Sequence, residues 1–285
     1  MKFSRNWFFV LVCVMAFSGL VSAQAQERPL ILVSNDDGID SEGILALVRA
    51  LESFADIVVC APMKNHSGIG HGLTVEGPIR VNEIKREGKV FGHGIEATPA
   101  TCVMLGLDKI VTKRPDIVVS GINEGGNLGT TVLVSGTFNA AQEAVMNGIP
   151  AVAVSLERTK GMEYTPAADF TAALVKALMK KGFPKNAVVN VNVPGAKMID
   201  LAGWKLTRLS DFRYRQIWHE RKTPWGQPYY WSTIRKPLAA FSVETDAGAV
   251  DANLISVSIV PLIGDSKAAM RPFADLQIET PLPKK

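Results

Sequence analysis

The chain is short of the residues that most often announce a chemistry. It holds three cysteines and four histidines in 285 residues. It contains no P-loop, no dinucleotide-binding fingerprint and no Ser-His-Asp signature, so nothing in it supports those rival chemistries. Charge of one sign is also lacking, because 31 basic residues face 27 acidic ones. That balance is not the electrostatic footprint of a nucleic-acid binder, and no duplex partner is expected. Three cysteines exclude a disulfide framework. An exported chain could pair Cys60 with Cys102. Cys60, however, ends an apolar strand-like run and Cys102 lies in a helix-like one, so both read as buried thiols.

Long apolar runs are absent except at the front. Lys2 and Arg5 precede an apolar stretch from Trp7 to Val21, and Ala23-Gln24-Ala25 follows with small residues at signal-peptidase spacing. A membrane anchor is the alternative, but the stretch is short for a bilayer span. Cys13 does not follow a small residue, which argues against a lipoprotein. Residues 1–25 therefore read as a signal peptide. The mature protein is expected to be exported, periplasmic in a Gram-negative source, and without a stable membrane anchor. Losing Lys2 and Arg5 takes the formal net charge from +4 to +2. The remaining chain, residues 26–285, has the size of one large α/β domain of about 260 residues.

What is present is a regular alternation. Leu30–Val33, Ile57–Ala61, Ile117–Ser120, Ala151–Ser155 and Val188–Val193 are short apolar runs of the kind that form buried parallel strands. Between them come helical patterns opened by Ser41, over Pro99–Val111, over Thr137–Asn147 and over Pro166–Lys181, the last two ended by Gly148 and Gly182. The expected fold is α/β, a mostly parallel, doubly wound Rossmann-like sheet covered on both faces. The pattern breaks near Trp204. Residues 204–245 carry four of the five tryptophans with no helical period, and read as an extended β-hairpin arm. Leu254–Leu262 returns as a strand.

The first apolar run stops in Asn35-Asp36-Asp37-Gly38. Adjacent carboxylates repel unless a cation lies between them, and ligands of open α/β sheets bind beyond the carboxyl ends of the strands. An ordinary turn is the plainer alternative, since Asp and Asn favour turns and caps. Two glycine-rich stretches also follow strands, Pro62–Gly72 and Ser120–Gly129, and Ser135-Gly136-Thr137 opens a helix. Glycines admit close backbone approach, successive amides form anion nests, and a helix N-terminus suits a phosphate.

These residues carry a resemblance. Ser34-Asn35-Asp36-Asp37-Gly38, Ala61-Pro62 with Ser67-Gly68, Ser120-Gly121-Ile122-Asn123 with Asn127-Leu128-Gly129, Ser135-Gly136-Thr137 and Ile149–Ser155 resemble the SurE family of metal-dependent 5′/3′-nucleotidases in order and spacing. Pro224–Trp231 is similar to that family's arm, and Glu244-Thr245-Asp246 with Ile255–Leu262 to its last strand. The resemblance implies that Asp36, Asp37, Ser67 and Asn123 hold a metal. All-oxygen ligands suit Mg²⁺ or Mn²⁺. It implies that Asn127, Ser135, Gly136 and Thr137 meet the substrate phosphate, and it places Asn35 beside the metal to orient a carboxylate or water. The activity implied is hydrolysis of nucleoside monophosphates to nucleoside and phosphate by a metal-activated water, with neutral donors stabilising the phosphoryl oxygens. A non-catalytic exported protein that binds metal and phosphate is the alternative.

Some positions depart from the family pattern. Thr101 and Thr131 stand where the family usually has Asp, and Phe138-Asn139 replace smaller residues. These departures bear on substrate preference and oligomer contacts and touch no expected metal ligand. His66 and His71 flank Ser67, where a histidine could act as general acid, or could simply face solvent. His93 and His219 read as structural. Trp204, Trp218, Trp225 and Trp231 suit either base stacking or an interface. A hairpin that cannot bury both faces favours the interface, as a homodimer or homotetramer.

Overall fold

The computed structural model describes residues 27–197, 200–237 and 239–264. The leader expected over residues 1–25 lies outside the described residues. Nine strands form one sheet: β1 (Leu30–Ser34), β2 (Asp56–Pro62), β3 (Val81–Arg86), β4 (Lys89–Ile95), β5 (Ile117–Glu124), β6 (Ala151–Leu156), β7 (Ala187–Val193), β8 (Gly203–Thr207) and β11 (Leu254–Pro261). Their spatial order is β3-β4-β2-β1-β5-β6-β7-β11-β8. The strands from β4 to β7 run parallel to their neighbours, whereas β3 and β11 are antiparallel to β4 and β7. From β1 the chain moves outward to β2, then crosses back to β5 on β1's other side. That reversal puts the topological switch point, where open α/β sheets bind ligands, between β1 and β5.

Side chains alternate across each strand, so the sheet feeds two cores. Ile31, Val33, Val119, Val152 and Val191 pack under α1 (Glu42–Glu52) and α4 (Thr165–Lys181). Leu32, Cys60, Val118, Ala153 and Val188 pack under α2 (Pro99–Leu105) and α3 (Gly136–Met146). The two thiols are buried and free. Burial pushes the Cys60 thiol up to about 12 and raises Cys102 as well. Among the described residues no helix is long and apolar enough to cross a membrane.

Local differences from the sequence reading have local causes. The helix expected over Pro99–Val111 is α-helical only to Leu105 and continues as a π-helical turn, Gly106–Ile110. Gly106 passes so close to β2 that a Cβ there would lie 3.0 Å from the Cys60 sulfur. Strand β5 runs beyond Ser120 to Glu124, with a register shift between Ser120 and Asn123, so Ser-Gly-Ile-Asn is an irregular strand end and not a loop. The hairpin β3–β4 was not expected. Its Gly92 and Gly94 admit Val59 and Met63, which would lie 2.4 and 2.2 Å from Cβ atoms at those positions.

The projecting arm is shorter than residues 204–245. A separate two-stranded sheet pairs β9 (Arg215–Lys222) with β10 (Pro228–Arg235). Trp204 belongs to β8, which pairs in parallel with β11 at the edge of the main sheet. Such a pairing partner, about 50 residues away, leaves no trace in local periodicity. On the hairpin, Trp218, Trp225, Tyr230 and Trp231 are all more than half exposed. A short helix, α5 (Asp246–Asp251), returns the chain to the sheet.

Candidate active site

The end of β1 builds the centre of the site. Asn35 is fully buried, and its side chain folds the turn. Its Nδ2 donates to the Gly38 carbonyl at 2.9 Å and to Ser41 Oγ at 2.8 Å, and its Oδ1 accepts the Gly38 N–H at 3.2 Å. Gly38 has φ +104°, a conformation that favours glycine. Asn35 thus shapes the Asp36-Asp37 turn and links it to Ser41, the N-cap of α1. The structure gives its amide a positioning role within this turn.

Asp36 is 2% exposed. Its Oδ1 accepts the Thr137 hydroxyl, and the backbone amides of Thr137 and Gly136 also favour its charged form. Gly136 is tight against it, since a Cβ there would lie 2.6 Å from Asp36 Cβ. The start of α3, expected to hold a phosphate, is therefore first engaged by Asp36. Ser135 is the N-cap of α3, its Oγ accepting the Phe138 N–H at 3.0 Å. Even with these donors, burial raises the pKa of Asp36. Asp37 is held from two sides. Its Oδ2 accepts the Glu124 N–H at 2.9 Å across the switch point, and its Oδ1 accepts Asn65 Nδ2 at 3.2 Å. Burial, then the neighbouring Asp36 charge, pushes Asp37 up to about 6.

The loop after β2 folds over this pair. The His66 N–H donates to the Asp36 carbonyl at 2.7 Å, and the Gly70 N–H to the Val134 carbonyl at 3.0 Å. Asn65, absent from the sequence reading, joins Ser67 to the site: its Oδ1 accepts the Ser67 N–H at 2.8 Å while its Nδ2 holds Asp37. Ser67 itself is exposed. His71 does not simply face solvent. Its Nε2 lies 2.7 Å from Glu143 Oε2 on α3, so it clamps the far end of the loop. His66 has its pKa lowered by burial against the opposing pull of Asp36.

Asn123 is 8% exposed and donates through Nδ2 to the Gly125 carbonyl, which leaves its amide oxygen as the ligand-capable atom. Asn127 is engaged inward. Its Nδ2 donates to Ser155 Oγ at 2.9 Å, its N–H to Asn192 Oδ1 at 2.7 Å, and its carbonyl accepts from Asn190 and Asn192. Arg158 and Tyr164 were also unanticipated. Arg158 Nε pairs with Glu124 Oε1 at 2.9 Å, and the Tyr164 hydroxyl is pushed up to about 12 by burial and by Glu124 and Asp37. No local motif marks either residue.

The departures make neutral contacts. Thr101 Oγ1 accepts the Thr74 N–H at 2.9 Å and the Thr98 hydroxyl at 3.0 Å, and the Thr131 hydroxyl donates to the Leu128 carbonyl. Asn139 Nδ2 ties α3 to the Ser135 carbonyl at 2.8 Å.

The donor chemistry fits a hard divalent cation. Among the described residues no group of three or more His, Cys, Asp or Glu side chains converges as a metal cluster. The candidate set is instead two carboxylates with a hydroxyl and an amide oxygen, all of them oxygen donors. Both carboxylates are raised by burial, and among the described residues neither is hydrogen-bonded by a basic side chain.

An open α/β sheet with two adjacent aspartates buried at its switch point is the class that fold and site define. The family described as Survival protein SurE matches residues 31–216, and the chain belongs to that family. It is 42% identical over 230 residues to the 5′-nucleotidase SurE of Moorella thermoacetica, covering 80% of this chain and 88% of that one. It is 41% identical over 229 residues to the 5′-nucleotidase SurE of Heliobacterium modesticaldum, covering 80% and 84%. The crystal structure of the SurE protein from Aquifex aeolicus superposes with a TM-score of 0.77 at 34% identity, covering 87% of this chain and 99% of that one.

Two predictions follow from this geometry. A carboxylate whose pKa is raised on folding makes the folded state bind more protons, so its contribution to stability is lost as pH rises from about 4 to about 6. Chelator-treated protein should therefore lose stability between about pH 4 and pH 6 relative to Asp37→Asn, whose amide does not titrate, and Mn²⁺ should close the gap. Melting curves that stay parallel for the two proteins would refute the assignment. Separately, Thr137→Ala removes a hydrogen bond to a charged carboxylate and should weaken Mn²⁺ binding roughly tenfold in calorimetry. Unchanged Mn²⁺ affinity with weaker inhibition by inorganic phosphate would move Thr137 to the phosphate side of the site.

Proposed function

We propose that the chain is a divalent-cation-dependent phosphomonoesterase that hydrolyses nucleoside 5′- and 3′-monophosphates to nucleoside and phosphate. The observation that carries the reading is the pair Asp36 and Asp37 at the β1–β5 switch point, both raised by burial and, among the described residues, hydrogen-bonded by no basic side chain. Membership of a family whose relatives are named 5′-nucleotidases supports the same reaction class.

Asp36, Asp37, Ser67 and Asn123 would hold Mg²⁺ or Mn²⁺, which when bound polarises a phosphoryl oxygen and lowers the pKa of water. The chain's own residues do the rest. The Thr137 hydroxyl fixes Asp36 Oδ1, while the Glu124 N–H and Asn65 Nδ2 fix the two oxygens of Asp37. The substrate phosphate is assigned to the start of α3 and the Gly125–Gly129 turn. Ser135 is a neutral donor there, while Asn127, turned inward toward Ser155 and Asn192, holds the turn in place; donors aimed at developing charge stabilise it without repelling the anion. His66, kept toward its neutral form by burial, lies beside Asp36.

Phosphate release from a panel of nucleoside monophosphates, with Mn²⁺ or Mg²⁺ and with chelator, tests the reading. Asp37→Asn should lower turnover by about two orders of magnitude or more, since both cation occupancy and water activation suffer. Near wild-type turnover at saturating Mn²⁺ would sink the ligand assignment.

The hairpin is assigned to self-assembly into a homodimer or homotetramer. Trp225 is 85% exposed and Tyr230 62%, and monomers rarely present contiguous apolar patches of this kind. Deleting residues 213–233 should shift the protein to monomer in light scattering. A full chain that already scatters as a monomer at micromolar concentration would return the tryptophans to base stacking.

A further inference from the structure

The β9–β10 hairpin leaves and re-enters the body of the protein at two points, and each rests on a loop of the site. At the first root, three residues before β9, Phe212 is fully buried against Leu128 and Val250. Its carbonyl accepts the Thr130 N–H at 3.0 Å. Gly129 is so close that a Cβ there would lie 2.6 Å from that carbonyl oxygen. Asp246 locks the seam. It is fully buried, its Oδ2 accepts the Gly129 N–H at 2.6 Å, and its Oδ1 accepts the Ser210 N–H at 2.9 Å. Gly129 closes the turn that begins after Glu124, the residue whose N–H holds Asp37.

At the second root, Lys236 directly follows β10. Its Nζ donates to Glu157 Oε1 at 3.0 Å and to Asp251 Oδ1 at 2.6 Å. The next residue after Glu157 is Arg158, whose Nε reaches Glu124 Oε1 at 2.9 Å. The two paths start at opposite feet of the hairpin and converge on the same residue.

We propose that Asp246 and Lys236 are positioning residues for the phosphatase site, transmitting the placement of the hairpin through Glu124 to Asp37. The proposal rests on the phosphomonoesterase reading above. It makes the arm part of the machinery that sets the site's geometry, so that whatever seats the hairpin also tunes turnover. Neither residue touches the reacting atoms. Lys236 acts through the Glu157–Arg158 segment, and Asp246 through the Gly129 turn.

The test uses the full chain with Mn²⁺. Lys236→Met should lower kcat for a nucleoside monophosphate roughly threefold to fivefold, the scale of a partly exposed ion pair. KM should stay within about twofold, because the path ends at Asp37 and not at the phosphate contacts. Lys236→Arg should restore kcat. In Asp246→Asn, exchange of the Gly129 and Thr130 amides should accelerate roughly tenfold or more while β1 and β7 stay protected, since only a sub-global opening is released. A Lys236→Met variant with wild-type kcat, or unchanged protection of Gly129 and Thr130 in folded Asp246→Asn, overturns the proposal. If Asp246→Asn does not fold, the Lys236 pair decides alone. If wild-type protein releases no phosphate, the functional reading fails, and the exchange measurement still decides whether the hairpin root is coupled to the Gly129 turn.

Discussion

The site depends on the contact between the Asp36 carboxylate and the first residues of α3. A buried carboxylate persists only where donors meet it, and here the hydroxyl of Thr137 with the amides of Gly136 and Thr137 supply them. The contact joins the end of the central strand to a helix 101 residues further along the chain. It requires glycine at 136, because a side chain there would collide with Asp36. It also needs α3 to lie close on the sheet, which its buried face of Ala140, Ala141 and Ala144 permits. The donors do not fully offset the loss of water, and burial still raises both aspartates. The fold thus concentrates two carboxylates at one point, at the carboxyl end of β1.

What could be read in the sequence was what is local. Buried parallel strands appear as unbroken apolar runs, so β1, β2, β5, β6 and β7 were visible, and Asn35-Asp36-Asp37-Gly38 stood out as polar turn residues closing one of them. The Ser41 and Ser135 caps were visible for the same reason. Partners distant in sequence were not. Thr137 suggested a phosphate donor at a helix N-terminus, and only the fold brings Asp36 to it. Asn127 suggested a contact with phosphate, yet its amide is turned into the sheet toward Ser155. Arg158 and Tyr164 sit in segments with no motif, and Asp246 lies in a matched segment that gave it no role; all three acquire meaning only from what they touch. The β3–β4 hairpin gave no signal either, because glycines such as Gly92 and Gly94, needed for close packing, look in sequence like glycines needed for a turn.

The satellite core of Leu128, Phe212, Ala247 and Val250 shows how the C-terminal segment is integrated. It is small, and it is sealed by edge-to-face and tilted contacts of Phe212 with Tyr214 and Phe241, at centroid separations of 4.8 and 5.6 Å. Residues that enclose the Gly129 turn are therefore the same ones that anchor the hairpin. Stability of that segment and order in the loop are one quantity, not two.

Among the described residues the hairpin's two strands pair only with each other, so it presents two open edges there as well as exposed faces. Open edges are templates for uncontrolled strand addition, and proteins blunt them with charge. Here β9 ends in Glu220-Arg221-Lys222 and begins at Arg215, β10 ends at Arg235, and Pro228 opens β10 without an N–H to offer. The aromatic rings project from the faces, with the Arg221 guanidinium 5.9 Å over the Trp231 ring. Charge and proline along its edges thereby discourage any second strand from extending this two-stranded sheet, which guards an exposed aromatic appendage against growth into fibres.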